Sequence, residues 1–227
     1  MLMPTTVQNA SKQVPGGGSQ TVPGSPPLAG AIDMMGAPVT FARNSEIFGE
    51  GEPADYLYKV VSGTVRTSKI LTDGRRQIGS FHMAGDIFGL EVGDDHTFSA
   101  EAITEAKVLV VRRSALLGLA ARDSNVGRQL WMLAGCELAR VQDHIMLLVK
   151  TAQERVVCFL LEMAQRVPDG NTVALTMSRQ DIADYLGLTI ETVSRTLTTL
   201  ENDGAIELPT SRCIMLRKRA TLARLNA

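Results

Sequence analysis

The chain has 227 residues, 44% hydrophobic and 21% charged, with a formal net charge of −1. That is ordinary material for one or two domains with a buried core, and it gives none of the bulk basicity that advertises nucleic acid, so any such contact must come from a local patch. Its three cysteines are odd in number and lack zinc-ligand spacing, which argues against a disulfide framework or a zinc site and for a reduced, cytoplasmic setting; the start shows no basic stretch followed by an apolar block, and the longest apolar run, 156–161, is far too short for a bilayer, so neither signal peptide nor membrane partner is expected.

Residues 1–28 are rich in Pro, Gly, Ser, Thr and Gln, as in Val14-Pro15-Gly16-Gly17-Gly18. Such a stretch cannot bury enough surface to order itself and reads as a mobile tail. From 29 to 122 the pattern changes to short strands, predicted at 39–42, 56–61, 63–71, 77–81, 97–102 and 107–112, with breaks at Gly49, Gly51, Gly63, Asp73-Gly74, Gly85-Asp86 and Gly93-Asp94. Regular short strands and turns predict a β-sandwich or barrel. Arg75 and Arg76, beside the Asp73-Gly74 turn, read as exposed residues serving solubility. His82, His96 and His144 are scattered and read as structural.

A short helix is expected over 113–121, closed by Arg122-Asp123-Ser124-Asn125, and a long one over 123–150. In the long helix Trp131, Ala134, Leu138, Val141, Ile145, Leu148 and then Ala152 alternate at four- and three-residue steps, a heptad seam. Leu130, Leu133 and Leu147 form a second apolar stripe. Two stripes need two surfaces, so one covers the chain's own domain and the other meets a partner chain. Ala134, Leu138, Val141, Ile145 and Leu148 are the expected contacts of that interface.

Residues 151–166 form another amphipathic helix, with Val157, Leu160, Leu161 and Ala164 inward, broken by Pro168-Asp169-Gly170 and followed by a strand at 172–176. The stretch 177–206 reads as two short helices around a tight turn. Ser178 with Asp181 makes a capping box, Gly187 supplies the turn, and Thr189 caps the second helix. That helix buries Ile190, Val193, Leu197 and Leu200 and points Glu191, Ser194 and Arg195 away from them. In a helix-turn-helix the N-terminal part of the second helix enters the major groove of double-stranded DNA. Arg donates to guanine O6 and N7, Glu accepts from cytosine N4, and Ser reaches a base edge or phosphate. Thr192, Ser178, Arg179 and Thr189 complete the set of expected DNA contacts. Strands at 205–208 and 213–216 around Pro209-Thr210-Ser211-Arg212 form a wing. Cys213 within it reads as a small buried hydrophobe; an exposed thiol there would make a redox site, since its oxidation would add charge or bulk beside phosphate. The basic run Arg212, Arg217, Lys218, Arg219 and Arg224 fits either a solvated helix or phosphate contact. With no P-loop, no GxGxxG and no catalytic cluster, no enzyme, metal site or cofactor is expected.

The string Ile190-Glu191-Thr192-Val193-Ser194-Arg195 resembles the recognition helix of the FNR branch of the CRP/FNR transcription regulators, whose signature is Glu-x-x-Ser-Arg. Gln142-Asp143, Ala152-Gln153-Glu154-Arg155, Met177-Ser178-Arg179, Tyr185-Leu186-Gly187-Leu188 and Phe81-His82-Met83-Ala84-Gly85-Asp86 are similar to the family in the same order. Together they cover roughly residues 30 to 220, and within the family the chain looks most like the FixK-type members. The resemblance implies an α+β fold: an N-terminal cyclic-nucleotide-binding-like β jelly roll over 29–122, a long dimerisation helix over 123–150 and a C-terminal winged helix-turn-helix over 151–227. It implies an activator that binds a TTGAT-N4-ATCAA-like palindrome, contacts RNA polymerase through surface loops of the roll and serves genes of low-oxygen respiration or nitrogen metabolism. It aligns Leu109 with the internal cluster cysteine of oxygen-sensing relatives, whose N-terminal cluster cysteines the tail also lacks, so no iron–sulfur cluster is expected. Phe98 stands where cyclic-AMP-responsive relatives carry the phosphate-binding Arg, beside a retained Ser99, and Leu90 stands at the ribose-binding Glu position with Glu91 next to it. An uncompensated phosphate is costly to bury there. Val141 aligns with a residue that is acidic in oxygen-regulated members, where it weakens the dimer; here it argues for a dimer formed without a signal. A regulator dependent on an effector in the roll (haem, nitric oxide or a nucleotide) is the alternative.

Overall fold

The computed structural model describes residues 28–166 and 171–225. The elements run α1 (Leu28–Met35), β1 (Ala37–Phe41), β2 (Glu46–Phe48), β3 (Tyr56–Ser62), β4 (Thr64–Ile70), β5 (Arg76–Met83), β6 (Ile87–Phe88), β7 (Ser99–Ala102), β8 (Ala106–Arg112), α2 (Arg113–Arg122), α3 (Ser124–Leu148), α4 (Ala152–Gln165), β9 (Thr172–Ala174), α5 (Arg179–Leu186), α6 (Ile190–Asn202), β10 (Ile206–Thr210), β11 (Cys213–Leu216) and α7 (Arg219–Leu225). The predicted tail through residue 28 needs correcting at its end: Leu28 opens α1 and is buried with Ile32 against Leu57, Val111, Leu116 and Val126. The rest of the tail and the break at Pro168-Asp169-Gly170 lie outside the described residues.

The first half is a two-sheet roll, with strand orders β1-β8-β3-β6 and β2-β7-β4-β5. Alternation drives it. In β8 Ala106 and Val108 are buried on either side of exposed Lys107, the pattern of a sheet with one face in the core. Phe48, Tyr58, Val60, Val65, Phe88, Ala100, Ala102, Ala106 and Val108 fill the space between the sheets. Gly63 turns β3 into β4 at φ +86, and a Cβ there would lie 2.2 Å from the Glu105 carbonyl oxygen, so only glycine fits.

The long helix α3 starts at Asp123, whose carboxylate accepts from the Asn125 amide. Its two stripes separate as their spacing requires. Leu130 and Leu133 pack on the small core around Leu28, and Leu147 is buried in the largest core. Ala134, Leu138, Val141, Ile145 and Leu148 face solvent, and so does Trp131, at 80% exposure. The seam stops at Leu148. Ala152 belongs to α4, because the chain breaks at 149–151 and restarts with a capping box between Thr151 and Glu154.

That largest core crosses from the roll into the second half. Ile78, Phe81 and Ile103 join Val157, Leu160 and Ala164 of α4 and Ile182, Tyr185 and Leu186 of α5. The Phe81 ring lies 5.2 Å from Tyr185 and 6.2 Å from Phe159. Among the described residues no helix is long and apolar enough to cross a membrane.

All three histidines are held below their usual range by burial, His82 to about 4. His82 sits under the Phe88 ring at 4.9 Å, and its Nδ1 has no hydrogen-bond partner. Its folded pKa lies below its unfolded value, so its contribution is complete above pH 6.5 and is lost as pH falls toward 4. Unfolding free energies from urea titrations between pH 7 and pH 4 are expected to fall, by up to about 3 kcal/mol from His82, and to fall less in the His82→Gln variant.

Candidate nucleic-acid interface

The helix pair α5–α6 is built from local signals. Ser178 Oγ accepts from the Asp181 amide at 3.0 Å, and Asp181 Oδ2 accepts from the Ser178 amide and hydroxyl at 3.0 and 2.8 Å. Two orphan donors of the helix start are thus satisfied. Gly187 closes α5 at φ 63, ψ 41, the left-handed conformation of a C-cap. Thr189 Oγ1 then accepts from the Thr192 amide at 3.2 Å and lies 3.1 Å from the Thr192 hydroxyl.

From that cap α6 presents two faces. Val193, Leu197 and Leu200 are buried; Glu191, Ser194 and Arg195 are exposed on the first turns. Ile190, predicted to be inward, is 37% exposed: it is the first residue of the helix and lies at the edge of a groove facing Arg75 and Gln77 of the roll. The backbone N–H at Glu191, the Thr189 hydroxyl and Arg195 hold the Glu191 carboxyl below its usual range. It is therefore ionised, an acceptor only, at neutral pH.

The flanks are less free than their sequence suggests. Arg179 is half-buried, with Nη2 donating to the Ser211 carbonyl at 3.3 Å, and so it ties α5 to the wing. The wing orders β10-β11-β9, with Ser211 and Arg212 exposed at its tip. Cys213 follows, a free, partly buried thiol. Of the basic run, Arg217 pairs with Glu207, and Lys218 donates to the Asp203 carbonyl at 3.1 Å, capping the end of α6. Arg219 and Arg224 of the run lie in helix α7, Arg212 lies in the β10–β11 turn, and Arg217 and Lys218 lie between β11 and α7.

Contacts across long sequence distances were invisible in the sequence. Arg76 is not a solvated residue. Its Nη2 lies 2.7 Å from Asp181 Oδ1 and 2.7 Å from Asp184 Oδ2, both on α5. Arg66 of β4 reaches the same Asp181 Oδ1 at 2.7 Å and Glu101 at 2.8 Å. Arg75 alone keeps the exposed reading, paired with Asp73 in its turn. Arg155 of α4 donates to the carbonyls of Leu148, Lys150, Leu186 and Gly187. The sequence offered the Ala152-Gln153-Glu154-Arg155 run but no reason for it.

Inside the roll a cavity of about 260 Å³ lies between the sheets and α3, lined in part by Thr67, Ser80, His82, Leu90, Glu91, Phe98, Glu137 and Val141. No Lys or Arg is among its described lining residues. The Phe98 ring packs on Gly79, where an added Cβ would meet it at 3.0 Å. Ser99 faces elsewhere, its hydroxyl accepting from the Glu50 amide at 2.9 Å. Leu109 lies in β8 against the small core. Among the described residues no group of three His, Cys, Asp or Glu side chains is placed to hold a metal.

Comparison with known proteins gives this architecture a family. Residues 154–225 match the Crp-like helix-turn-helix domain and residues 38–123 the cyclic nucleotide-binding domain. The chain is 52% identical over 205 residues to the nitrogen fixation regulation protein FixK of Azorhizobium caulinodans, covering 88% of this chain and 83% of that protein. It is 33% identical over 190 residues to the fumarate and nitrate reduction regulatory protein of Escherichia coli K12, covering 81% and 76%. The structure of FixK2 from Bradyrhizobium japonicum superposes with a TM-score of 0.82 at 49% identity, covering 85% of this chain and 98% of that one. Cyclic-nucleotide-binding β domain, long helix and DNA-binding winged helix-turn-helix thus follow one another here as they do in those relatives, and the chain belongs to the CRP/FNR family of transcription regulators, not enzymes, as a homologue of the FixK proteins.

Proposed function

We propose that the chain is a cytoplasmic homodimer that reads a TTGAT-N4-ATCAA-like palindrome and activates genes of nitrogen fixation or low-oxygen respiration. The observation that carries this is the face of α6: Glu191, Ser194 and Arg195 exposed together opposite buried Val193, Leu197 and Leu200. Arg195 and Glu191 supply direct readout of guanine and cytosine, and Ser194 assists. Thr192 and Thr189 lie at the same helix start, and Ser178 and Arg179 at the start of α5, where backbone phosphates pass. Three parts divide the work: the roll over 29–122, the pairing helix over 123–150 and the DNA-reading part over 151–227.

The exposed seam Ala134, Leu138, Val141, Ile145 and Leu148 supports pairing, since five apolar side chains in heptad register are left in water by a single chain. Two recognition helices about one DNA turn apart then match a palindrome. Exposed Arg75 supports a contact to RNA polymerase from the β4–β5 turn. The name of the Azorhizobium relative supports the gene class. The cavity beside Glu137 and Val141 favours a second reading, in which an effector acts through the roll; a lining without a cation favours an uncharged effector over a nucleotide phosphate. A thermal-shift screen separates the two readings, because a ligand of the folded state raises the midpoint. Partly exposed Cys213 stands as a redox site on the wing, tested by comparing operator binding with and without reductant.

Gel-shift titration on the palindrome and on a scrambled duplex, at two salt concentrations and without effector, tests the main reading. Tight, salt-dependent, sequence-selective binding is expected, and equal binding to both duplexes would overturn it. Arg195→Ala is expected to weaken operator binding by about 1–3 kcal/mol per half-site and to relax one base preference. Val141→Asp places a charge in the seam and is expected to raise the dimer dissociation constant at least roughly tenfold, measured by sedimentation equilibrium, with the circular dichroism of the wild type retained.

A further inference from the structure

The grip of the roll on α5 has no part in base reading, yet it determines where α6 can be. Asp181 is nearly buried, and its two oxygens face two different parts of the chain. Oδ2 caps α5 through Ser178, and Oδ1 takes Arg66 and Arg76 from adjacent strands of the roll, each at 2.7 Å. Arg76 also holds Asp184, one turn further along the same helix. Two points on one helix fix its direction as well as its position. Beneath them Ile78 and Phe81 close the contact against Tyr185. A short turn through Gly187 then carries α5 into α6, so α6 follows any movement of α5.

We propose that Arg66 and Arg76 are positioning residues that set the half-site spacing the dimer accepts. The inference rests on the DNA-reading function proposed above. In a dimer joined along α3 the two rolls are held by the seam, and each α6 is held by its own roll through Asp181 and Asp184. Together with the shared core and Arg155, these ion pairs then hold the distance between the two recognition helices in the protein rather than leaving it to the DNA. Exposed pairs do little of this kind, being screened and mobile. Here Asp181 and Asp184 are only 5% and 12% exposed, and Arg66 13%. Losing one partner leaves a desolvated charge behind and frees the helix.

The test is a set of palindromes whose half-sites are separated by three, four or five base pairs, each step moving a half-site by about 3.4 Å along the duplex. The wild type is expected to favour the four-base-pair spacer. Arg76→Asp opposes Asp181 and Asp184 and is expected to bind that spacer about tenfold more weakly and to treat the three spacers nearly alike. The charge-swapped pair Arg76→Asp with Asp184→Arg restores the contact to α5 at Asp184 but leaves Asp181 to Arg66, and is expected to recover part of the affinity and of the spacing preference together. Arg76→Gln serves if the reversal prevents folding, and the thermal midpoint and dimer content of every variant are compared with the wild type. A folded, dimeric Arg76→Asp or Arg76→Gln protein that keeps the wild-type spacing preference overturns the inference alone. A wild type that binds operator and scrambled duplex equally overturns the DNA reading and the inference with it.

Discussion

Where α3 ends and α4 begins, the chain leaves carbonyl groups with no helical partner, and one guanidinium meets them. Arg155 donates to Leu148 at 2.5 Å and Lys150 at 2.9 Å on the α3 side, and to Leu186 at 3.0 Å and Gly187 at 3.4 Å at the end of α5. Helix C-termini carry unsatisfied C=O groups and partial negative charge. A planar fork of five donors can serve two such ends together, where a lysine offers three donors at one point. The break is thereby a fixed angle rather than a loose joint. Arg155 thus joins the end of α3, which carries the seam, to the end of α5 in the helix-turn-helix, beside the core that Leu147 and Tyr185 share and the roll's own ion pairs to α5.

The roll takes a scaffold's role in this arrangement. Its β5 strand sends Ile78 and Phe81 outward into the core shared with α4 and α5. The opposite side of the same sheet meets the cavity of about 260 Å³ between the sheets and α3. Phe98 on Gly79, and a described lining without Lys or Arg, make that cavity unsuited to a phosphate. Apolar burial between roll and helices is non-directional. The ion pairs at its rim add direction, because an Arg fork holds a carboxylate in one geometry.

How much of this could be read in the sequence depended on the range of each interaction. The helix-turn-helix was legible because its determinants are local: Ser178 and Asp181 are three residues apart, Gly187 alone suits the turn, and Thr189 caps the next helix. The two stripes of α3 were legible because a helix converts spacing into direction, so Leu130 and Leu133 turned inward while Leu138 and Val141 stayed out. The short strands β2 and β6, of three and two residues, carry too few positions to show alternation and escaped notice. The helix α1 was hidden by its glycine and its neighbouring prolines; burial of Leu28 and Ile32 forms it, and burial is a tertiary fact. Arg66 and Asp181 are 115 residues apart, and no pattern in a single sequence joins them. Arg76 was misread for that reason: beside an Asp-Gly turn it looked like any solvated arginine.

The chain contains a single tryptophan, and that residue is Trp131, on the solvent face of α3. Its indole stands at the N-terminal end of the seam, in water in the single chain, and the pairing proposed above would bring apolar neighbours against it. Emission from an indole moves to the blue as water leaves it. If the two chains pair along this seam, assembly would register in the protein's own ultraviolet fluorescence, free of background from any second tryptophan, without attaching a label.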